Sequence, residues 1–308
     1  MTISSKGAAA SPDNRIKRTT GEKVFTVFNT ILLVLLCFTT IYPFINTLAL
    51  SFNEGMDALR GGIYFFPRVF TLENYKKVFG DSEIIRGYGI TLARTFIGTV
   101  VTLFCTGILA YGLSKKYLMG RKFYIGLCVF AMIFNAGLIP TYMLYRDLGL
   151  LNNFWVYILP SAVSPWYMIL MKTFFEQIPV ELEESAMLDG ASTLRIFLTI
   201  VVPISMPIIA TVCIFSAVYQ WNAWYDAYMF VTRRMELHPV QTYLYRVVAL
   251  AQRSAENPAE AQLLERLSTS ATVLRSATVM ITTVPIVFIY AIFQKHFIKG
   301  VMIGALKG

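Results

Sequence analysis

The 308 residues predict an all-α membrane protein with six transmembrane helices. Three observations carry that prediction. Hydrophobic residues make up 56% of the chain and charged residues only 15%, a balance uncommon in soluble domains. The apolar residues gather into long uncharged runs, and about 20 such residues suffice to cross a bilayer. A short loop holding Lys115, Lys116, Arg121 and Lys122, with no acid among them, marks one side as cytoplasmic.

Taken in order, residues 1–23 form a polar, basic cytoplasmic tail of disordered composition. The run at 24–50 is too long for a signal-peptide core and lacks a small-residue cleavage site, so it is an uncleaved first span. Pro43 within it is tolerable where neighbours satisfy the freed carbonyl. Residues 51–87 form an external, aromatic loop of balanced charge, with a short helix starting near Thr71. The second span covers 88–113 and ends at the basic loop. The third covers 123–145 and the fourth 153–175.

A charged segment, 179–203, then interrupts the apolar sequence. Glu181, Glu183, Glu184 and Asp189 suit the positive end of a short helix that follows Pro179. Gly190 stops that helix, because glycine adopts the left-handed cap without strain. Ser192 caps the helix that follows. The fifth span covers 204–231, and an external segment covers 232–273, with a surface helix over 251–268. The sixth span covers 274–294, and residues 295–308 are a cytoplasmic tail. Six spans place both termini on one side, and the basic tails and loop make that side cytoplasmic. The acidic segment at 179–203 and the arginines at 233, 234, 246, 253 and 266 pull against this orientation. The rule counts Lys and Arg in short loops and weights acids little, so the orientation stands.

No phosphate-cradling glycine loop with Lys-Ser or Lys-Thr is present, and no His-Glu-x-x-His or Gly-x-Ser-x-Gly. The chain therefore carries no motif for ATP hydrolysis, and uphill transport would draw on a partner or an ion gradient. The four cysteines lie inside apolar runs without metal-site spacing, and His238 and His296 are far apart. The net charge of +9 fits basic cytoplasmic flanks in a membrane protein better than nucleic-acid binding.

Ionisable residues inside spans point to function. Arg94 and Asp226 both fall near the outer ends of their spans; they either pair, face a wet cavity, or snorkel to the headgroups. The stretch Tyr219 to Asp226 places Gln220, Trp221, Asn222, Trp224 and Asp226 together. Aromatic faces cover the C–H side of a sugar ring, and amides and carboxylates bind its hydroxyls. An interfacial aromatic belt explains the Trp and Tyr residues equally well, and the polar ones less well. Asn135 is a further polar candidate, with helix–helix hydrogen bonding as its alternative role.

Glu184-Ser185-Ala186, three residues, Gly190, nine residues, then Ile200-Val201-Val202-Pro203 resembles the "EAA" loop of bacterial ABC-importer permeases. Ser185 and Val202 depart from the pattern by small changes in bulk. The stretches at 135–160, 171–192 and 297–308 extend the resemblance over residues 22–308. They make the chain similar to carbohydrate-importer permeases of the maltose-importer G type, in the branch of lipoprotein-associated sugar and alginate permeases. The resemblance implies a Type I importer fold in the bacterial inner membrane, forming half of a translocation pathway for a sugar or oligosaccharide. It implies a homologous second permease, two ABC ATPase subunits that bind ATP and Mg, and an extracytoplasmic solute-binding protein. It makes Glu181, Glu183, Glu184, Ser185, Ala186, Asp189, Gly190, Ala191 and Ser192 ATPase-coupling residues, and Gly300, Gly304 and Lys307 secondary ATPase contacts. No cofactor is implied in this chain itself. Arg233, Arg234, Arg246 and Arg253 would suit an acidic oligosaccharide such as an alginate or pectin fragment. Nearby glutamates dilute that argument, and docking of the binding protein is an equal use for those charges. The rival reading is a stand-alone secondary transporter or channel, which often shows inverted repeats; none is evident here.

Overall fold

The computed structural model describes residues 19–256 and 272–288. The candidate contacts Gly300, Gly304 and Lys307, and most of the surface helix expected over 251–268, lie outside those residues. The described chain is all-α; its one β feature is an isolated bridge between Asn53 and Phe70. The described residues fall into two units, divided between Asn46 and Thr47.

Helix α1 spans Thr20–Ser51. Its start is a reciprocal cap: Thr19 N–H donates to Glu22 at 2.8 Å, and Glu22 N–H donates back to Thr19 Oγ1 at 3.3 Å. The second unit continues with α2 (Gly55–Ala58) and α3 (Glu73–Gly80). Asn53 and Asn74 pin this loop: Asn53 Oδ1 accepts from the N–H groups of Arg68 and Val69, and Asn74 donates to the carbonyls of Ser51 and Asn53.

Helix α4, Ser82–Ser114, is the axis of the second unit. It begins at Asp81, whose carboxylate accepts from Glu83 N–H at 2.8 Å, several residues before the expected start at 88. Buried glycines and threonines line it, including Gly87, Gly98, Gly107, Thr91, Thr102 and Thr106. Such small residues let other helices come close where no hydrophobic drive separates lipid from side chain. At Gly87, an added Cβ would lie 3.1 Å from the backbone nitrogen of Val240.

Three expected spans are not straight. The third becomes α5 (Arg121–Ile133) and α6 (Leu138–Asp147), bent by 114°. Gly137, at φ +86°, makes the break, and Asn135 Oδ1 accepts from its N–H at 2.9 Å. The fourth becomes two short 3-10 turns within 154–161 and then α7 (Pro165–Phe175), bent by 44°. Threonines of α4 satisfy the backbone freed there: Thr102 donates to Ser161 O at 2.8 Å, and Thr106 accepts from Ser164 N–H at 3.1 Å. After α8 (Val180–Leu188) and α9 (Thr193–Ile196) comes a π-turn over Phe197–Val201 and then α10 (Val202–Ile204). An 87° bend at Ser205 leads into α11 (Met206–Asn222). Pro203 and Pro207 flank that bend and withhold two backbone donors. The fifth span breaks again at Ala223 before α12 (Tyr225–Phe230).

Helix α13 covers Val240–Glu256, and α14 covers Thr272–Phe288, starting two residues before the expected sixth span. Among the described residues, two helices, α1 and α4, are long and apolar enough to cross a bilayer unbroken; counting each bent pair as one span gives five, with α14 as a shorter apolar helix. One core forms where α4, α7 and the α9–α11 arm meet, around Tyr111, Met168, Met171, Phe175, Ile196 and Phe197. A second surrounds Tyr157, Ile158, Ala227 and Phe230.

Candidate functional site

The chain presents two sites, at opposite ends of α4. At the Lys115 end sits the charged turn. Helix α8 closes with the double hydrogen bond of a Schellman motif: Gly190 N–H donates to Met187 O at 3.0 Å, and Ala191 N–H to Ala186 O at 2.9 Å. Gly190 has φ +78°, in the left-handed region expected of it. Ser192 Oγ accepts from Arg195 N–H at 3.4 Å and starts α9. The nine residues of this turn separate by exposure. Glu181, Glu184, Ser185, Asp189, Gly190 and Ser192 face solvent, while Ala186 and Ala191 are half-buried against the core. Leu188, at the tip, is 90% exposed.

Glu183 differs from its neighbours, being 6% exposed. Its carboxylate pairs with Lys115 and accepts from the Tyr111 hydroxyl at 3.1 Å. The Lys115 ammonium also lies 4.1 Å from the centre of the Tyr111 ring. Glu183 is thus held inside the chain, braced on the C-terminal end of α4, while Glu181 and Glu184 face solvent. Sequence spacing could not separate it from Glu181 and Glu184, since the acids differ only in which way a two-turn helix faces.

At the other end lies a cavity of about 530 Å³. Asn135, Tyr145, Tyr157, Ser161, Tyr219 and Asp226 are among its lining residues. Arg94 sits behind the wall, fully buried. It donates to both oxygens of Asp226, to Gln220 Oε1 at 3.2 and 3.1 Å, and to Ala223 O at 3.2 Å. Its guanidinium lies 4.4 Å from the centre of the Tyr157 ring. Gln220 in turn donates to Ser161 Oγ at 2.8 Å. Arg94 therefore ties α4 to the break at Ala223 and neutralises the carboxylate on the cavity wall. Of the three roles open to this pair in the sequence, pairing is what the structure has, with Asp226 on the cavity wall.

The structure brings Asn135 and Asp226 to this cavity, with Gln220 and Arg94 behind it, but not the other candidates. Trp221 is buried and donates to Thr282 O at 3.2 Å, so it packs α11 on α14. Asn222 is exposed and donates back to Val218 O. Trp224 stacks on Tyr245 with ring centres 3.9 Å apart, joining α13. The reason is helical geometry: successive residues near the end of α11 point about 100° apart and cannot all face one space. Tyr145 and Tyr157 were not among the sequence candidates; they come from separate bent segments, and only the bends bring them here.

Two of the arginines after α12 are paired. Arg234 pairs with Glu236 at 2.9 Å, and Arg246 pairs with Glu83. The hydrogen bond from Arg234 holds the Glu236 carboxyl below its usual range. Tyr243 donates to Asp81 at 3.0 Å; burial first, and then the Asp81 carboxylate, push its hydroxyl up to about 12. The Tyr243–Asp81 and Arg246–Glu83 contacts fasten α13 to the start of α4, whereas the Arg234–Glu236 pair is solvent-exposed. His238 is buried, with Nε2 2.6 Å from Val231 O.

Comparison with known proteins agrees with this architecture. Residues 104–303 match the family described as binding-protein-dependent transport system inner membrane component. Protein LplC of Bacillus subtilis (strain 168) is 37% identical over 290 residues, covering 94% of this chain and 97% of that protein. The polygalacturonan/rhamnogalacturonan transport system permease protein YtcP of the same organism is 34% identical, covering 87% and 93%. A chain from the crystal structure of a bacterial ABC transporter involved in the import of the acidic polysaccharide alginate superposes with a TM-score of 0.80. That chain is 28% identical, and the match covers 91% of this chain and 99% of that one. The all-α architecture, the bent spans and these matches together establish that the chain belongs to the binding-protein-dependent inner membrane components, as a multi-pass transport permease of the Type I importer fold.

Proposed function

We propose that this chain is one of two permease subunits of an ATP-driven importer for a saccharide, gripped at residues 179–203 by a separate ATPase. The observation that carries the reading is the shape of that turn. An almost fully exposed leucine, Leu188, projects beside Glu184 and Asp189 from a rigidly capped helix whose two arms are packed in the core. An exposed apolar tip with acids around it, held on a stiff support, suits insertion into a partner's cleft. In this reading the turn, the loop near residue 120 and both termini are cytoplasmic, and a solute-binding protein delivers the solute to the opposite face.

The cavity supplies tyrosine faces, an amide and hydroxyls, groups that fit a sugar's C–H faces and hydroxyls. A second, homologous permease would complete it. The names of YtcP and of the alginate importer favour an acidic oligosaccharide. The described cavity wall contributes no unpaired cation toward such a solute, so its charge would be recognised by other residues or other subunits.

ATP and the loaded binding protein each shift the equilibrium by preferring one state. Closure of the ATPase pair would carry α8 with it and reorient the helices packed on it. The test is uptake of labelled oligogalacturonate, and of a neutral oligosaccharide of equal length, in cells with the wild-type chain, with none, and with Gly190→Trp. Loss of either uptake without the chain, and with Gly190→Trp despite intact assembly, supports the reading. Unchanged uptake of both sugars without the chain contradicts it.

A further inference from the structure

We infer that Glu183 is a positioning residue, the strut through which movement of the docking turn reaches α4 and the cavity; this rests on the docking role proposed above. Beside the apolar packing of α7 and the α9–α11 arm on α4, two routes lead from the turn to Asp226. The covalent one is interrupted twice, by the 87° bend at Ser205 and by the break at Ala223. The other passes from Glu183 to Lys115 and Tyr111 and then along α4, a single helix without proline. Arg94 lies on that same helix, about 25 Å from Tyr111 by helical rise. It holds Asp226 on the cavity wall.

Tyr111 is clamped from both arms of the turn. Its ring centre is 6.4 Å from that of Phe175, before the turn, and 5.1 Å from that of Phe197, after it. Arg121 adds a second tie, donating to Leu113 O at 2.8 Å and pairing with Glu176 at the end of α7. Separating the pair would leave a buried charge uncompensated in low dielectric, so Glu183 and Lys115 move together. A push on α8 is therefore delivered to α4 as a whole. Glu183, being buried, acts on α4 and not on the partner.

The test uses the assembled transporter, purified with its ATPase, carrying a chain in which Cys37, Cys105, Cys128 and Cys213 are serine and Leu138, on the cavity wall, is cysteine. The readout is the change in labelling rate by a charged maleimide when Mg-ATP and vanadate are added. Glu183→Gln, Lys115→Met and the double variant should each shrink that change by roughly tenfold, within the usual range of coupling effects. The double variant should lose no more than either single one. The ATPase should still co-purify with each variant.

A full response in either single variant, or additive losses in the double one, overturns the strut alone. Loss of ATPase co-purification in Glu183→Gln also overturns it, since the residue would then act on docking. A parent complex with no nucleotide response overturns the proposed function and the strut together.

Discussion

Arg94 Nη1 and Nη2 donate to the two carboxylate oxygens of Asp226, at 3.2 and 2.6 Å. The arginine is fully buried, whereas the Asp226 side chain is 24% exposed on the cavity side. Removing the acid strands a buried cation; removing the cation leaves an acid that water can reach. Asp226→Ala should destabilise the purified chain by about 3 kcal/mol, the low end for a broken buried pair. Arg94→Leu combined with Asp226→Leu should cost less than Asp226→Ala alone. Thermal unfolding in detergent checks both, and a double variant whose loss equals the sum of those of Arg94→Leu and Asp226→Leu alone would refute the pairing.

Gly98 is where α4 lets Gln220 pass. A Cβ at Gly98 would lie 2.5 Å from Gln220 Nε2 and 2.7 Å from its Cδ, displacing the side chain that supports Arg94. Gly98→Ala should cost roughly 1–3 kcal/mol, as overpacking does. Gly89→Ala, on the same helix with nothing within 4 Å of the added carbon, should be neutral or stabilising. The comparison of the two melting temperatures isolates crowding from helix propensity.

At Gly190 the space is open and the constraint is the backbone, at φ +78°. Gly190→Ala should therefore destabilise by about 1–2 kcal/mol through left-handed strain alone. Gly190→Asn should cost less, because asparagine accepts that conformation. Equal losses from the two substitutions would point instead to a steric limit at the turn.

The Tyr243 hydroxyl, raised from 10.0 to about 12, stabilises the folded chain while protonated. Its folded value exceeds its unfolded one, so the contribution is complete below pH 10 and is lost as pH rises through 12. Asp81→Asn should move the phenolate absorbance transition back toward the ordinary value. An unmoved transition would assign the shift to burial and Glu83 without Asp81.

Helix type, the apolar runs and the capped turn at Gly190 were legible because each rests on local chemistry. Gly190 and Ser192 do in space what their residue types suggest, and the Gly137 break was written in Asn135-x-Gly137 without having been read that way. Unbroken apolar composition concealed the bends, because hydropathy is blind to a single residue at positive φ or to paired prolines. The cavity was only half legible. Asp226 and Asn135 stood out as polar residues in apolar surroundings, but Tyr145 and Tyr157 look like ordinary span aromatics until two bent segments bring them together. Glu183 was indistinguishable from Glu184 in the sequence, because its partner Lys115 lies 68 positions away.

The proposed function requires the turn at 180–190 to face the cytoplasm and to be held there by an ATPase. The most direct measurement places a single cysteine at Leu188, in a chain otherwise free of cysteine, and treats sealed cells and inverted membrane vesicles with a bifunctional, membrane-impermeant maleimide. The account predicts no labelling in sealed cells, and in vesicles a cross-link to a nucleotide-binding subunit that Mg-ATP modulates. Labelling of Leu188→Cys from outside intact cells, or free reactivity in vesicles with no nucleotide-binding subunit attached, would contradict it.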